Sequence, residues 1–521
     1  MPPPRNRALG ILRNATSNYV RQLLQIVVLV LLTPYIVRQV GTDDFGLWSL
    51  IQATIGLLGL MDLGFSTSVV KFVAEARGKG DAARLRQLTA TFFWQYTALG
   101  AAMLAATLLL LGPLPGLLDL PEGRVESARL VFLLVGLRAA LGLPLGLFAG
   151  ILVGYQKQVL SNLCRVVGTV SYGLVAWWAL AVSPSIETLS WASLATGVGA
   201  NVLSLVLCLR HAPGMSLSPA QFRWGMIREI STFSLWFFLI QVSLLIATRV
   251  DTIIINGVLP LAAVAVYTVA IRVAEKASAL CRQLTNALTP VIAELRGAGE
   301  ESNIRAVFLK GSMLSVALSA PILVGLAWLA EDLCVAWMGE DFRGAGLPCQ
   351  LLGAALVGLV HGNTENILSM TGHQKHLALA TLGGQALNLA LTLALIKPLG
   401  LAGVALAAVL AQAAVQLLAI QPKAGQIQRV SMAEFYWRTL WPSAPGSLAC
   451  VGAIWGLPRL LPPTSLWSVA VLLAAGGVAF VPAFWFMGLP AGERQYFAGR
   501  FRALLDPRGR RGKPGSKEPA A

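Results

Sequence analysis

Apolar residues run along the chain in stretches of about twenty, and short polar connections separate these stretches. A helix of about 20 apolar residues crosses a hydrocarbon core roughly 30 Å thick, and it satisfies its own backbone hydrogen bonds there. The spacing predicts fourteen spans, near residues 15–37, 46–70, 88–111, 128–152, 158–182, 189–209, 230–256, 260–284, 306–330, 347–370, 376–396, 401–420, 441–461 and 465–489. The pattern therefore predicts an all-α polytopic membrane protein.

One polar connection occurs twice in the chain. Residues 73–86 read VAEARGKGDAARLR and residues 292–305 read IAELRGAGEESNIR, at an offset of 219 (292 − 73). Identical positions are Ala74/Ala293, Glu75/Glu294, Arg77/Arg296, Gly78/Gly297, Gly80/Gly299 and Arg86/Arg305. This offset is far longer than a solenoid period, so it indicates a doubled bundle. Six predicted spans separate the copies, and an even number keeps the same side of the membrane, which predicts two parallel lobes.

The repeat divides the chain into four parts. We expect a six-helix lobe at 1–225, a second six-helix lobe at 226–422, a final pair of spans at 423–490 and a basic cytoplasmic tail at 491–521. The tail is polar and rich in Gly and Pro, which is typical of a disordered segment. Its positive charge favours contact with anionic membrane lipid.

The positive charge of the chain follows the predicted topology. The net charge of +16 would suggest a nucleic-acid partner in a soluble protein. Here the basic residues gather in alternate connections, at the N-terminus, 71–87, 210–228, 282–305, 421–438 and the tail, whereas the connections between them are short and acidic. The positive-inside rule then places both termini in the cytoplasm, and we expect no nucleic-acid partner.

Several kinds of site find no support in the sequence. The six cysteines are scattered, with neither disulfide-framework nor zinc-ligand spacing. The segment RGKG at 77–80 lacks the spacing and the Lys-Ser/Thr ending of a P-loop. No cluster of acid–base side chains is visible. We therefore expect no metal, no cofactor and no catalytic residue.

Ionisable residues inside the spans are the candidate functional groups, because a charge in hydrocarbon is costly unless it is paired or faces a wet cavity. We assign substrate binding to Arg21, Arg138, Arg249, Arg272 and Lys276, and ion coupling to Asp62, Glu275, His361 and Glu365. The guanidinium fork binds phosphate oxygens bidentately, so a cationic cavity suits a phosphate-bearing substrate. The alternative is that these charges, and Asp251 among them, only pair with one another.

A family resemblance rests on short motifs. Residues 38–50 read RQVGTDDFGLWSL after Thr33-Pro34-Tyr35, and DLGF follows at 62–65. The second half carries Arg249-Val250-Asp251, Asn256-Gly257 and Tyr267. Over about residues 10–425 the chain resembles the polysaccharide-biosynthesis flippases (Wzx type), in a superfamily that also holds multidrug extruders and the lipid II flippase. In that last protein, arginines in spans 1 and 8 occupy positions similar to Arg21 and Arg272.

The resemblance implies two six-helix lobes around a central cavity, alternating access and undecaprenyl-pyrophosphate-linked oligosaccharide as substrate. It further implies residence in the bacterial inner membrane and polysaccharide polymerases as partners. Two alternatives remain open. One is an ion-coupled multidrug exporter, which the excess of buried basic residues disfavours. The other is a membrane polysaccharide polymerase or ligase, which the short outer loops disfavour.

Overall fold

The structure is a computed structural model, and it describes residues 4–62, 65–118, 122–228, 249–355 and 363–495, together with isolated residues at 230, 238, 239, 242, 498 and 499. Every regular element in these ranges is helical. The N-terminal helices are α1 (Pro4–Val40), α2 (Thr42–Leu58), α3 (Phe65–Gly78), α4 (Ala82–Leu110), α5 (Leu114–Leu117), α6 (Val125–Gly154), α7 (Gln158–Val182) and α8 (Ile186–His211).

The later helices are α9 (Asp251–Asn256), α10 (Leu261–Ala298), α11 (Glu301–Met338), α12 (Gly346–Gly353), α13 (Asn363–Met370), α14 (Gln374–Ala414), α15 (Gln421–Gln428), α16 (Met432–Thr439), α17 (Ala444–Gly456) and α18 (Leu466–Ala483). Within the described ranges, eight helical runs are long and apolar enough to cross a membrane. Helix α10 is long enough but is not among these runs, because it carries several of the predicted site charges, Arg272, Glu275 and Lys276. Parts of the predicted spans 230–256 and 347–370 lie outside the described residues.

Helix α14 contains the predicted span 376–396 and most of the predicted span 401–420, which ends in the π-helical segment Val415–Ile420. Its 41 residues are interrupted at Gly400, whose φ of 58° and ψ of −137° are not helical, two residues after Pro398. A left-handed φ is readily adopted only by glycine, and proline lacks the donor that a continuing helix needs. The interruption lies between the predicted spans 376–396 and 401–420, and its local chemistry explains why the helix breaks there.

The chain divides into two compact units. The first comprises Met1–Ser278, Ala330–Leu359 and Gly372–Ile420, and the second comprises Ala279–Leu329, Val360–Thr371 and Gln421–Ala521. The lobe boundaries predicted from the repeat stay predictions.

The repeated connection has the same backbone geometry in both copies. In the first copy, the amide of Gly80 donates to the carbonyl of Arg77 at 3.1 Å and the amide of Asp81 donates to the carbonyl of Ala76 at 3.1 Å. The equivalent bonds in the second copy, 219 residues later, are Gly299 to Arg296 at 3.2 Å and Glu300 to Leu295 at 3.0 Å. The turn glycines have φ values of +69° and +74°. The sequence repeat is therefore a structural repeat at this connection.

A second pair of connections, which was not predicted from the sequence, repeats as well. The amide of Tyr155 donates to the carbonyl of Ile151 at 2.9 Å, and the amide of Thr371 donates to the carbonyl of Ile367 at 2.9 Å, an offset of 216 (367 − 151). The residues that precede α7 and α14, Lys157 and His373, have similar φ values of −98° and −104°. Few identities connect these two segments, so this repeat could not be recognised from the sequence.

Each unit has a hydrophobic core built from equivalent positions of the repeat. In the first unit, Val73, Leu85 and Ile151 belong to one buried cluster. In the second unit, the equivalents Ile292, Ile304 and Ile367 belong to another. Burial of such side chains is the dominant favourable contribution to folding, so the repeat preserves the packing as well as the turns.

We expect the substitution Gly80→Val to destabilise the protein by about 1–2 kcal/mol, because a β-branched residue is strained at left-handed φ. No atom lies within 4 Å of the position that a Cβ at residue 80 would occupy, so the effect is conformational rather than steric. Thermal unfolding of the detergent-solubilised protein measures it. Gly80→Asn is the matched control, since asparagine tolerates this φ, and an equal loss in both variants would contradict the explanation.

Candidate functional site

A polar cavity lies among five helices of the first unit. It has a volume of about 600 Å³ and is bounded by residues of α1, α2, α6, α7 and α8. Its polar lining side chains are Gln25, Gln52, Arg138, Arg165, Thr169, Tyr172, Ser193, Thr196 and Asn201, with Trp48 beside them. We call this space the first chamber. It contains two arginines and no carboxylate among its described lining residues.

A second chamber of about 460 Å³ adjoins the first. The two share the lining residues Gln25, Trp48, Gln52, Thr169 and Tyr172. The second chamber adds Ser49, Thr33, Arg249, Thr252, Thr268, Arg272, Glu275 and Lys276. We refer to the two chambers together as the cationic cavity, because five basic side chains and one carboxylate line it.

Helical periodicity explains why these side chains share one surface. On α10, Thr268, Arg272 and Glu275 are spaced four and three residues apart, so they lie on one face. On α7, Arg165, Thr169 and Tyr172 follow the same spacing. Each helix thus presents one polar stripe to the cavity.

Arg138 reaches the first chamber because α8 has a glycine opposite it. A Cβ added at Gly197 would lie 2.7 Å from Nε of Arg138. Any side chain at residue 197 would therefore displace the guanidinium. The Arg138 side chain is exposed to the chamber, although its position in α6 is far from either end of that helix.

Arg272 is held by weak polar and aromatic contacts. Its Nη1 donates to Oγ1 of Thr33 at 3.4 Å, and its guanidinium carbon lies 5.3 Å from the centre of the Phe45 ring. Phe45 is fully buried. A cation over an aromatic face is attracted by the ring quadrupole, which fixes the guanidinium without neutralising its charge.

The basic lining residues do not form ion pairs with carboxylates in the described part of the chain. The ion pairs found there involve other arginines and lysines, at Lys79, Arg124, Arg282, Arg296, Arg305, Lys310, Arg343 and Arg438. Thus Arg272 and Glu275, which share a helix face, are not in ion-pair contact. Mutual pairing therefore does not account for the charges around this cavity.

Three buried donors of the cavity wall also lack partners among the described residues: Nε1 of Trp48 and the hydroxyls of Ser49 and Tyr172. Trp48 and Tyr172 line both chambers, and Ser49 lines the second. A buried donor without a partner is unfavourable by about 1–3 kcal/mol. Such groups favour a polar ligand or water in the cavity.

The remaining predicted site residues lie elsewhere. Nη1 of Arg21 donates to Oε1 of Gln25 at 3.1 Å, so Arg21 contacts the cavity through a residue that lines both chambers. Glu365 lies in the second unit, 3.8 Å from Arg282. Asp62 ends the short helix Gly59–Asp62, and its side chain lies outside the described residues, as does all of His361.

Sequence reasoning missed several lining residues. Arg165 lies near the start of α7 and was not counted among the charges at membrane depth, although its spacing to Thr169 and Tyr172 was a usable signal. Gln25 and Gln52 are neutral, and amides also occur in ordinary helix packing, so no sequence pattern singles them out as lining residues.

Asp251 is buried away from the cavity lining, beside neutral partners. Tyr267 donates its hydroxyl to Oδ2 of Asp251 at 3.0 Å, and Nδ2 of Asn388 lies 3.5 Å from Oδ1. Asp251 is only 2% exposed. Arg249, two residues earlier, lines the second chamber instead, because two residues correspond to about 200° around a helix.

We expect Asp251→Ala to lower the free energy of unfolding by about 2 kcal/mol, since it leaves the buried Tyr267 hydroxyl without an acceptor. Asp251→Asn keeps an acceptor of similar size and should cost less than half as much. Chemical unfolding in detergent compares the two. Equal losses would show that the carboxylate charge, rather than the hydrogen bond, stabilises this position.

Comparison with known proteins gives a family. Residues 9–296 match the family model described as polysaccharide biosynthesis protein, and these 288 residues (296 − 9 + 1) exceed half of the 521-residue chain. The chain belongs to the polysaccharide biosynthesis protein family. This polysaccharide biosynthesis protein is 26% identical over 416 residues to the membrane protein EpsK of Bacillus subtilis (strain 168), and the match covers 76% of this chain and 79% of EpsK.

Other proteins to which this chain is similar are described as transporters or as a flippase. This polysaccharide biosynthesis protein is 20% identical to a putative O-antigen transporter of Shigella flexneri, over 64% of its own chain and 78% of the relative. Its fold is similar to that of the lipid II flippase MurJ in an inward closed conformation, with a TM-score of 0.69, 12% identity and coverage of 95% and 100% of the two chains. An inward-facing multidrug resistance MATE transporter of the MOP superfamily gives a TM-score of 0.69, 15% identity and coverage of 79% and 96%. The family predicted from the motifs is confirmed, and the chain is a multi-pass membrane protein.

Proposed function

We propose that this protein is a flippase that moves undecaprenyl-pyrophosphate-linked oligosaccharide from the cytoplasmic to the outer leaflet of the bacterial inner membrane. The observation that carries the proposal is the cationic cavity, in which five basic side chains and one carboxylate line a space between helices. A pyrophosphate supplies the anionic oxygens that unpaired guanidinium groups bind best. The family and the putative O-antigen transporter of Shigella flexneri support the same class of cargo.

The remaining lining groups suit sugars. Gln25, Gln52 and Asn201 each offer both donors and acceptors for hydroxyl groups. Trp48 and Tyr172 provide apolar ring surface together with the unpartnered donors described above. Volumes of about 600 and 460 Å³ lie within the range of ligand sites, roughly 300–1,000 Å³.

The proposal includes the topology that the mechanism requires. Fourteen spans form two parallel six-helix lobes and a final pair, with both termini in the cytoplasm. Alternating exposure of the cavity then moves the head group while its prenyl chain stays in lipid. Glu275, which lines the second chamber, is a candidate for coupling transport to an ion, and Asp62, His361 and Glu365 remain further candidates. The protein acts as a transporter rather than as an enzyme, and polysaccharide polymerases are its expected partners.

A transport assay tests the proposal directly. Proteoliposomes are loaded with a fluorescent undecaprenyl-pyrophosphate-linked sugar, and a membrane-impermeant quencher reports how much probe reaches each leaflet. We expect the protein to equilibrate the probe between leaflets and not to export ethidium in a parallel assay. Ethidium export without movement of the lipid-linked sugar would favour a multidrug exporter and overturn the proposal.

A further inference from the structure

Besides the two chambers, an apolar groove lies between α1 and α7. It has a volume of about 380 Å³, and its lining residues are Val28, Leu31, Leu32 and Tyr35 on α1 and Val170, Gly173, Leu174 and Trp177 on α7. On both helices these positions are spaced i, i+3, i+4 and i+7, so each helix contributes one stripe. The Tyr35 hydroxyl donates to the carbonyl of Trp177 at 2.9 Å, which leaves a surface of hydrocarbon and aromatic rings.

The rim of this groove is exposed and its floor is buried. Leu31, Leu174 and Trp177 are 69%, 63% and 58% exposed, whereas Leu32 is 8% exposed. Large apolar side chains with this exposure are favourable only in contact with hydrocarbon or with an apolar partner. In a multi-pass membrane protein, the groove therefore opens to the lipid.

The groove and the second chamber share a wall that is one side chain thick. Val28 and Leu32 line both spaces. Opposite Val28, helix α7 has a glycine, Gly173, and so contributes no side chain to this wall. The two helices are close here, since a Cβ added at Gly173 would lie 3.1 Å from Cγ1 of Val28. The apolar groove and the cationic cavity are therefore separated here only by the side chains of Val28 and Leu32.

We infer that the groove holds the first isoprene units of the lipid-linked substrate while the pyrophosphate occupies the second chamber. This inference rests on the proposed function. A prenyl pyrophosphate joins an anionic head to a hydrocarbon chain through one bond, so its site needs cationic and apolar surfaces side by side. Here Arg272 and Lys276 line the chamber on one side of the Val28–Leu32 wall, and Leu31 and Leu174 line the groove on the other.

Photo-crosslinking in nanodiscs tests the location of the prenyl chain, with tritiated undecaprenyl pyrophosphate as the probe. Leu174→p-benzoylphenylalanine places the reactive group in the groove. Trp178→p-benzoylphenylalanine is the matched control, since Trp178 is 65% exposed on the same helix but does not line the groove. We expect about five-fold more labelling at residue 174, equivalent to roughly 1 kcal/mol of preference. Excess unlabelled undecaprenyl pyrophosphate should remove this difference, and the same excess of phosphatidylglycerol should not.

Equal labelling at both positions, or equal competition by phosphatidylglycerol, would overturn the inference. If the transport assay still shows movement of the lipid-linked sugar, only the groove assignment fails; absence of both transport and pyrophosphate binding would instead refute the proposed function. Gly173→Leu, which fills the groove, is a second variant. It should lower labelling at residue 174 but retain binding of inorganic pyrophosphate, and loss of pyrophosphate binding would assign the effect to the cavity and contradict the inference.

Discussion

Replacing Arg138 and Arg272 together by glutamine is expected to lower transport of lipid-linked glycan about 100-fold. Each guanidinium is expected to make charge-assisted hydrogen bonds to the polar head group of the substrate, and each such bond contributes about 1.5–3 kcal/mol. Loss of about 3 kcal/mol corresponds to about two factors of ten. The two residues line different chambers of the same cavity, so the double variant removes charge along its length.

Initial rates in proteoliposomes, at equal amounts of folded protein, measure this loss. The double lysine variant should retain part of the activity, since lysine keeps the charge but not the bidentate fork. Arg210→Gln is the control for general loss of positive charge, because Arg210 is exposed at the end of α8 and does not line the cavity. Undiminished transport by the double glutamine variant would show that the cavity does not bind the substrate.

The periodicity of the sequence was sufficient to group some of the residues that line this cavity. Arg272, Glu275 and Lys276 were expected on one helix face from their spacing alone, and the structure places all three around the second chamber. Arg138 was recognised by its depth in a span. These positions could be singled out from the sequence because a charge inside an apolar helix has few stable environments, while their roles stay predictions.

Contacts between distant helices could not be predicted in this way. Whether Arg138 reaches the chamber depends on Gly197, which is 59 residues away (197 − 138) on another helix. The neutral partners of Asp251 come from α10 and α14, and a single sequence contains no information on which helices meet. The sequence therefore identified the buried charges, but it did not specify which residues of other helices surround them.

The short motif that carried the family resemblance has a physical explanation in the structure. Gly41, with φ of +86°, forms the turn between α1 and α2. Phe45 is fully buried, stacks 6.2 Å from Trp48 and lies under the guanidinium of Arg272. A Cβ added at Gly46 would lie 2.3 Å from the backbone oxygen of Leu261, the first residue of α10. The motif thus fixes the helix that carries Arg272 against the wall of the cavity.

Gly46→Val is accordingly expected to lower the free energy of unfolding by about 3 kcal/mol, at the upper end of the range for overpacked cores. The obstructing atom belongs to the backbone, so the clash cannot be relieved by rotating a side chain. The start of α10 must move away from α2, and Arg272 must move with α10 relative to Phe45. We therefore expect transport to fall with stability, and to stay low even at temperatures where the variant remains folded.

Thermal unfolding and transport rates of the same preparation separate the two effects of Gly46→Val. Gly59→Val is the matched control: it introduces the same side chain one residue after the end of α2, where no atom lies within 4 Å of the added Cβ. If Gly46→Val were no less stable than Gly59→Val, close backbone packing would not explain this glycine. If it were less stable but transported normally when folded, the contact would stabilise the fold without positioning Arg272, and the site would have to obtain its geometry from α7 and the Thr33 hydrogen bond alone.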